Sequence, residues 1–245
     1  MDNKDKAEIL RIDNLTYAYP KPFWDRSESR NVLEGINLSV KKGEIVGLAG
    51  ESGCGKSTLA KCIVGINKVE AGITCRVKRG MVFQNAYGSL NPYYSVRAQM
   101  MEVLKLRGIK DKNEKEMIIN DILIKVKFPE EYIDYKPGEL SGGQRQRAAI
   151  ALALLSDIGL LIADEPVSAL DVTIQAQIIE TLKQIRDETD LTIIVISHDL
   201  RTMYNLCDSI AIMKDGKIVE MGDKNKVYFK PEHEYTKLLI KSAFV

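Results

Sequence analysis

The run Gly50-Glu51-Ser52-Gly53-Cys54-Gly55-Lys56-Ser57-Thr58 constrains this chain more than any other feature. It matches the pattern G-x-x-x-x-G-K-[ST] and stands in the context that the pattern needs. A short apolar run, Ile45-Val46-Gly47-Leu48-Ala49, precedes it, and a helical run, Leu59 to Val64, follows. The glycines let the backbone curl so that successive N–H groups converge on phosphate oxygens, and the helix adds the positive end of its dipole. Lys56 is expected to reach the β- and γ-phosphates of a nucleoside triphosphate, and Ser57 to supply an oxygen to Mg2+.

A loop of this kind needs a parallel sheet behind it. The run Ile45 to Ala49 shows little alternation, which suits a strand buried on both faces. Two more such runs follow, Leu160-Leu161-Ile162-Ala163 and Thr192-Ile193-Ile194-Val195-Ile196. Between them Ile174, Ile178, Leu182 and Ile185 recur at helical spacing. Strand, helix, strand in that order predicts a crossover unit and an α/β core. The first of the two strands ends in Asp164-Glu165, and such sheets bind ligands at the C-terminal ends of their strands. Asp164 is expected to hold Mg2+, through water, and Glu165 to orient or deprotonate the attacking water.

The flanking segments are read more coarsely. Ile9 to Gly43 is predicted to be β structure, with strands over Ile9–Ile12, Leu15–Tyr17 and Ile36–Val40 and a surface loop over Lys21 to Arg30. Ser95 to Leu155 reads as a helical insertion, its apolar face marked by Ile118, Ile119, Ile122, Leu123 and Val126 and broken at Pro129 and Pro137-Gly138. Asp215-Gly216 between two strand-like runs is a hairpin signal. Glu232 to Phe244 is predicted to be a terminal helix.

Composition narrows the function classes. Lys+Arg is 35 and Asp+Glu 34 in 245 residues, without the basic excess of a non-specific nucleic-acid binder. The longest apolar run, Ala148 to Ala163, is interrupted at Ser156-Asp157 and falls short of the roughly 20 residues needed to span a bilayer. The polar N-terminus lacks an apolar signal core, so export is not expected. Cys54, Cys62, Cys75 and Cys207 form no C-x-x-C pair and read as reduced thiols without metal.

Five further segments point to a family. Leu140-Ser141-Gly142-Gly143-Gln144-Arg145-Gln146-Arg147 resembles the LSGGQ signature of ABC-type ATPases. Gln84, after Met81-Val82-Phe83, resembles their Q-loop, and Ser168-Ala169-Leu170-Asp171 their D-loop. His198 resembles their switch histidine, and Tyr19 the aromatic that stacks on adenine, with Tyr17 on the same face as its rival. The resemblance implies a P-loop NTPase (RecA-like) α/β core with an N-terminal antiparallel β subdomain and an inserted α-helical subdomain. It implies ATP and Mg2+ as ligands, with Gln84 beside Ser57 and Asp164 at the metal and His198 at the γ-phosphate. It also explains a second anion cradle, because Ser141, Gly142, Gly143 and Gln144 open a helix with a hydroxyl and exposed N–H groups. The resemblance implies that two ATPase domains meet head to tail, so that the signature of one, with its Asp171 nearby, closes on the nucleotide held by the other.

Gln84-Asn85-Ala86-Tyr87-Gly88-Ser89-Leu90-Asn91-Pro92, Val172-Thr173-Ile174-Gln175-Ala176-Gln177 and His233-Glu234-Tyr235-Thr236-Lys237 resemble the peptide/nickel branch of ABC importers, and within it the second of two paired ATPase subunits. The chain departs from that branch in a short segment between Gly72 and Met81, in Leu152 where Arg is common, in Glu234 for Pro, and in ending without a cysteine-bearing extension. The resemblance then implies one ATP-binding domain over residues 1–245. Its core and β subdomain would cover about 9–94 and 156–230, its helical part about 95–155 and its tail about 231–245. A homologous ATPase is the implied partner, in a heterodimer first and with a homodimer as the alternative. Two transmembrane permeases are also implied, with an extracytoplasmic solute-binding protein acting indirectly, at the cytoplasmic face of the membrane and without nucleic acid. A non-transport ABC ATPase acting on DNA or ribosomes is the alternative, and half of an exporter a third reading.

Overall fold

The computed structural model describes residues 7–20, 31–168 and 170–243. The expected loop Lys21 to Arg30 and Ala169 of the D-loop lie outside the described residues. In chain order the strands are β1 (Glu8–Tyr17), β2 (Leu33–Lys41), β3 (Ile45–Ala49), β4 (Ile73–Cys75), β5 (Arg79–Val82), β6 (Leu160–Asp164), β7 (Thr192–Ile196), β8 (Ser209–Lys214) and β9 (Lys217–Asp223). The helices are α1 (Lys56–Val64), α2 (Ala86–Ser89), α3 (Val96–Leu106), α4 (Lys112–Lys125), α5 (Gly142–Leu155), α6 (Val172–Thr189), α7 (Leu200–Leu206), α8 (Lys224–Phe229) and α9 (Glu234–Ala243). The chain divides into two compact units, Met1–Val77 with Thr192–Val245, and Lys78–Leu191.

In the first unit β1 and β2 pair antiparallel, and β4 adds to the other edge of β1. Leu10, Ile12 and Leu15 are buried, and the alternation slips at Asn14, which has φ 49°. The register shifts between Ile12 and Leu15, so the two strands expected over Ile9–Ile12 and Leu15–Tyr17 are one bulged strand. The antiparallel subdomain is three-stranded, and its third strand has three residues. The same unit holds parallel pairs of β3 with β7 and with β8. Every residue of β3 and of β7 is buried, as their unbroken apolar runs require. β9 returns antiparallel on β8 through Asp215 and Gly216, both at positive φ (46° and 78°), the backbone that a two-residue hairpin turn needs.

In the second unit β5 pairs parallel with β6. The insertion folds as α3, α4 and α5, with Ser95, Asp111 and Ser141 as side-chain N-caps. Met100, Leu104, Ile119, Leu123, Val126 and Ile150 are buried. Of the expected apolar face, Ile118 and Ile122 are only partly buried. The long apolar run Ala148 to Ala163 divides at Ser156-Asp157 into the end of α5 and strand β6, with Asp157 at φ 56°. The short helices α2, α7 and α8 carry too few periodic residues to be legible beforehand.

Candidate active site

In the first unit the chain leaves buried β3, curls through residues 50–55 and enters α1 at Lys56. Gly50 has φ 151°, and a Cβ there would lie 2.2 Å from the Met213 carbonyl oxygen, so only glycine fits. Lys56 is 8% exposed. Its Nζ donates to the carbonyls of Gly50 and Glu51 at 2.8 and 2.7 Å and lies 3.7 Å from Cys54 Sγ. The loop thus folds around its own cation. Ser52, Gly53 and Ser57 are exposed, and Thr58 is buried. The hairpin turn braces the loop from outside, where the Gly216 N–H donates to the Cys54 carbonyl at 3.0 Å. The Tyr235 hydroxyl accepts from the Glu51 N–H at 3.2 Å.

Tyr19 is 45% exposed. Its hydroxyl is hydrogen-bonded to Thr58 Oγ1 at 3.1 Å, and its ring meets Tyr17 edge to face at 5.3 Å. The pair therefore stands at the start of α1, with Tyr19 the more exposed of the two. His198 is exposed in the connection between β7 and α7, where Ser197 Oγ accepts from the Asp199 N–H. His233 takes a structural place, its Nδ1 accepting from the Tyr235 N–H at 3.1 Å.

In the second unit Asp164 ends β6 and is 6% exposed. Glu165 follows at φ 46°, a left-handed conformation that turns the chain sharply at the end of the strand. Its Oε2 accepts from Gln84 Nε2 at 3.0 Å, so the structure brings these two expected residues together. The Ser168 N–H and hydroxyl both donate to the Glu165 carbonyl. Asp171 caps α6, accepting from the Ile174 N–H at 3.0 Å.

The signature segment is a helix start. Ser141 Oγ accepts from the Gln144 N–H, and Gln144 Oε1 accepts from the Ser141 N–H at 2.8 Å, a reciprocal capping box. Gly143 has a packing role that its position in an anion cradle did not predict: a Cβ there would lie 2.7 Å from Ile174 Cγ2. Arg147, about one turn on and 7% exposed, donates to the Val126 carbonyl, Thr181 Oγ1 and Gln177 Oε1. Burial holds its guanidinium below the usual range. It ties α5 to α6 and to the end of α4, and its run of alternating Gln and Arg carried no signal of that.

Among the described residues no group of three or more His, Cys, Asp or Glu side chains is placed to hold a metal ion. Ser57 in the first unit and Asp164 in the second each carry an oxygen of the kind that Mg2+ takes as a ligand.

The profile of the family described as ABC transporter matches residues 33–168. The oligopeptide transport ATP-binding protein OppF of Lactococcus lactis subsp. lactis (strain IL1403) is 35% identical over 96% of this chain and 80% of its own length. The probable D,D-dipeptide transport ATP-binding protein DdpF of Escherichia coli (strain K12) is 38% identical over 97% of this chain and 79% of its own. Among solved structures, a dimeric post-hydrolysis state of the ATP-binding cassette MJ0796, bound to ADP and Pi, aligns with TM-score 0.77 and 28% identity over 88% of this chain and 99% of that one. The cbiO1 protein of Clostridium perfringens, part of an ABC transporter complex, aligns with TM-score 0.79 and 28% identity over 91% of each chain.

Proposed function

The chain belongs to the ABC transporter family and is an ATP hydrolase of that family, and from that premise we propose that it is the energising subunit of a peptide importer. The observation that carries the reading is that one chain holds both a glycine-rich loop folded around Lys56 and a second glycine-containing helix start at Ser141, each of which we read as an anion cradle. One nucleotide needs one such loop, so the second cradle serves a nucleotide held by another ATPase domain.

Each residue is given a role on its chemistry. The N–H groups of residues 50–58 and Lys56 hold the phosphates, and Tyr19 offers a ring to adenine. Ser57, Asp164 and Gln84 hold Mg2+, which supplies charge neutralisation at the phosphates when bound. Glu165 accepts a proton from the attacking water, oriented by the Gln84 amide that already meets its carboxylate. His198 steadies the γ-phosphate. Ser141, Gly142, Gly143 and Gln144, with Asp171 nearby, serve the partner's nucleotide. The γ-phosphate is bound fully only when two domains close, so ATP shifts the equilibrium towards the pair and hydrolysis reverses it.

Transport follows from coupling that closure to membrane subunits. No helix among the described residues is long and apolar enough to cross a membrane. Two permeases at the cytoplasmic face of the membrane would form the path, and an extracytoplasmic binding protein would deliver the solute. A cavity of about 340 Å3 in the second unit is lined by Phe83, Asn91, Leu106 and Leu152 among others, directly after β5 and beside the Gln84 segment, and it suits a short helix of a permease. The names of the relatives favour peptides over nickel as the solute. We also propose that the whole chain acts as one ATP-binding domain, paired with a homologous ATPase.

The test is the state of association. With MgATP, the Glu165→Gln variant should retain nucleotide and accumulate as a dimer, and adding Ser141→Arg should return it to monomer without loss of nucleotide binding by the monomer. Multi-angle light scattering reads both. A Glu165→Gln variant that hydrolyses ATP at the normal rate removes the role given to Glu165.

A further inference from the structure

One peptide group of the phosphate loop is gripped from both sides, and only one of the grips belongs to the motif. The Gly50 carbonyl and the Glu51 N–H are the two ends of one planar trans peptide and point in opposite directions. The carbonyl turns inward and accepts from Lys56 Nζ at 2.8 Å. The N–H turns outward and donates to the Tyr235 hydroxyl at 3.2 Å. Gly50, at φ 151°, gives this plate little restraint of its own, because glycine crosses φ/ψ regions that are closed to other residues. A flip of the plate would carry the carbonyl away from Lys56. The phenol hydroxyl opposes that flip.

Tyr235 is itself firmly held. It is 7% exposed, and burial pushes its phenol up, so the hydroxyl stays protonated at neutral pH. Lys214 Nζ stands 4.9 Å from its ring centroid, a cation–π distance. Its own N–H donates to His233 Nδ1. The N–H groups of Glu232 and His233 donate to the two carboxylate oxygens of Glu220 at 2.9 and 3.0 Å. Lys214 ends β8 and Glu220 lies on β9, so the hairpin whose turn braces Cys54 also holds the start of α9 against Glu51.

We propose that Tyr235 is a positioning residue of the ATP site: its hydroxyl fixes the Gly50–Glu51 peptide and thereby sets where the Lys56 ammonium meets the phosphates. The inference rests on reading residues 50–58 as the phosphate loop for ATP. It gives the C-terminal helix a direct effect on nucleotide affinity.

The full chain carrying Tyr235→Phe loses one oxygen and keeps the ring. Titration calorimetry with MgATP, well below the melting midpoint, should show Kd raised about fivefold, the size of one hydrogen bond to a neutral group. In steady-state hydrolysis KM should rise by a similar factor, with kcat carrying the smaller share. Glu220→Gln, which loosens the clamp without touching Tyr235, should weaken binding in the same direction and by less, and it carries the comparison if the Phe variant does not fold. An unchanged Kd, or a lowered melting midpoint of the ligand-free chain with unchanged Kd, overturns the proposal. Lys56→Ala in parallel separates the premise: if it binds MgATP as the parent does, or the parent binds none, the phosphate-loop reading itself fails.

Discussion

Lys56 shows why single residues here do more than one task. Its ammonium is buried, and two loop carbonyls hold it before any phosphate arrives. Lys56→Ala therefore removes the phosphate partner and also leaves two carbonyls without their donor. We expect MgATP binding to fall below detection in calorimetry and the ligand-free chain to lose about 1–3 kcal/mol in urea unfolding. At residue scale the sequence singles out candidates wherever they sit in a contiguous motif. Lys56, Ser141, Asp164 and Glu165 were named from their neighbours alone. Tyr235 and Arg147 were not, because their partners lie far along the chain: Glu51 is 184 positions from Tyr235, and Val126 is 21 from Arg147. No local pattern encodes a contact at that separation.

At the scale of elements, helix α5 joins capping to packing. Its capping box satisfies the N–H groups of Ser141 and Gln144, and Gly143 lets α6 approach. Gly143→Val would drive a branched side chain into Ile174 and should cost about 1–3 kcal/mol, read as an earlier urea midpoint. It should also weaken ATP-driven pairing, because α5 would be pushed from α6 at the signature end. Element existence followed from unbroken apolar runs for β3, β6 and β7, which are buried throughout, and from helical spacing for α6, which is one-sided. The bulge at Asn14 was read as a gap between two strands because one residue at positive φ reverses the alternation that strand reading depends on. The three residues of β4 were too few to set a pattern.

At the scale of the whole molecule, pH acts through the clamp on α9. Burial works against a charge on Glu220, but the N–H groups of Glu232 and His233 outweigh it and hold its carboxyl below the usual carboxylate range. A depressed folded value means that this stabilisation is complete above the ordinary glutamate pKa of about 4.3 and is lost as pH falls through the lower folded value. Glu220→Gln should therefore flatten the acid limb of the stability curve below about pH 4.3, measured by thermal melts between neutral and acid pH. The family was legible because seven motifs occur in order along one chain. What each compact unit contributes to it was not, since chain order alone does not say which strands group with the inserted helices.

Glu165 sits in a backbone conformation that asparagine and glycine tolerate and glutamate resists. A chain selected only to survive heat would not keep glutamate at that corner. Glu165→Asn should melt later than the parent while failing to turn over ATP, gaining about 1 kcal/mol from the relaxed corner. If Glu165 has the role proposed for it, wear resistance and work are set against each other at a single φ angle.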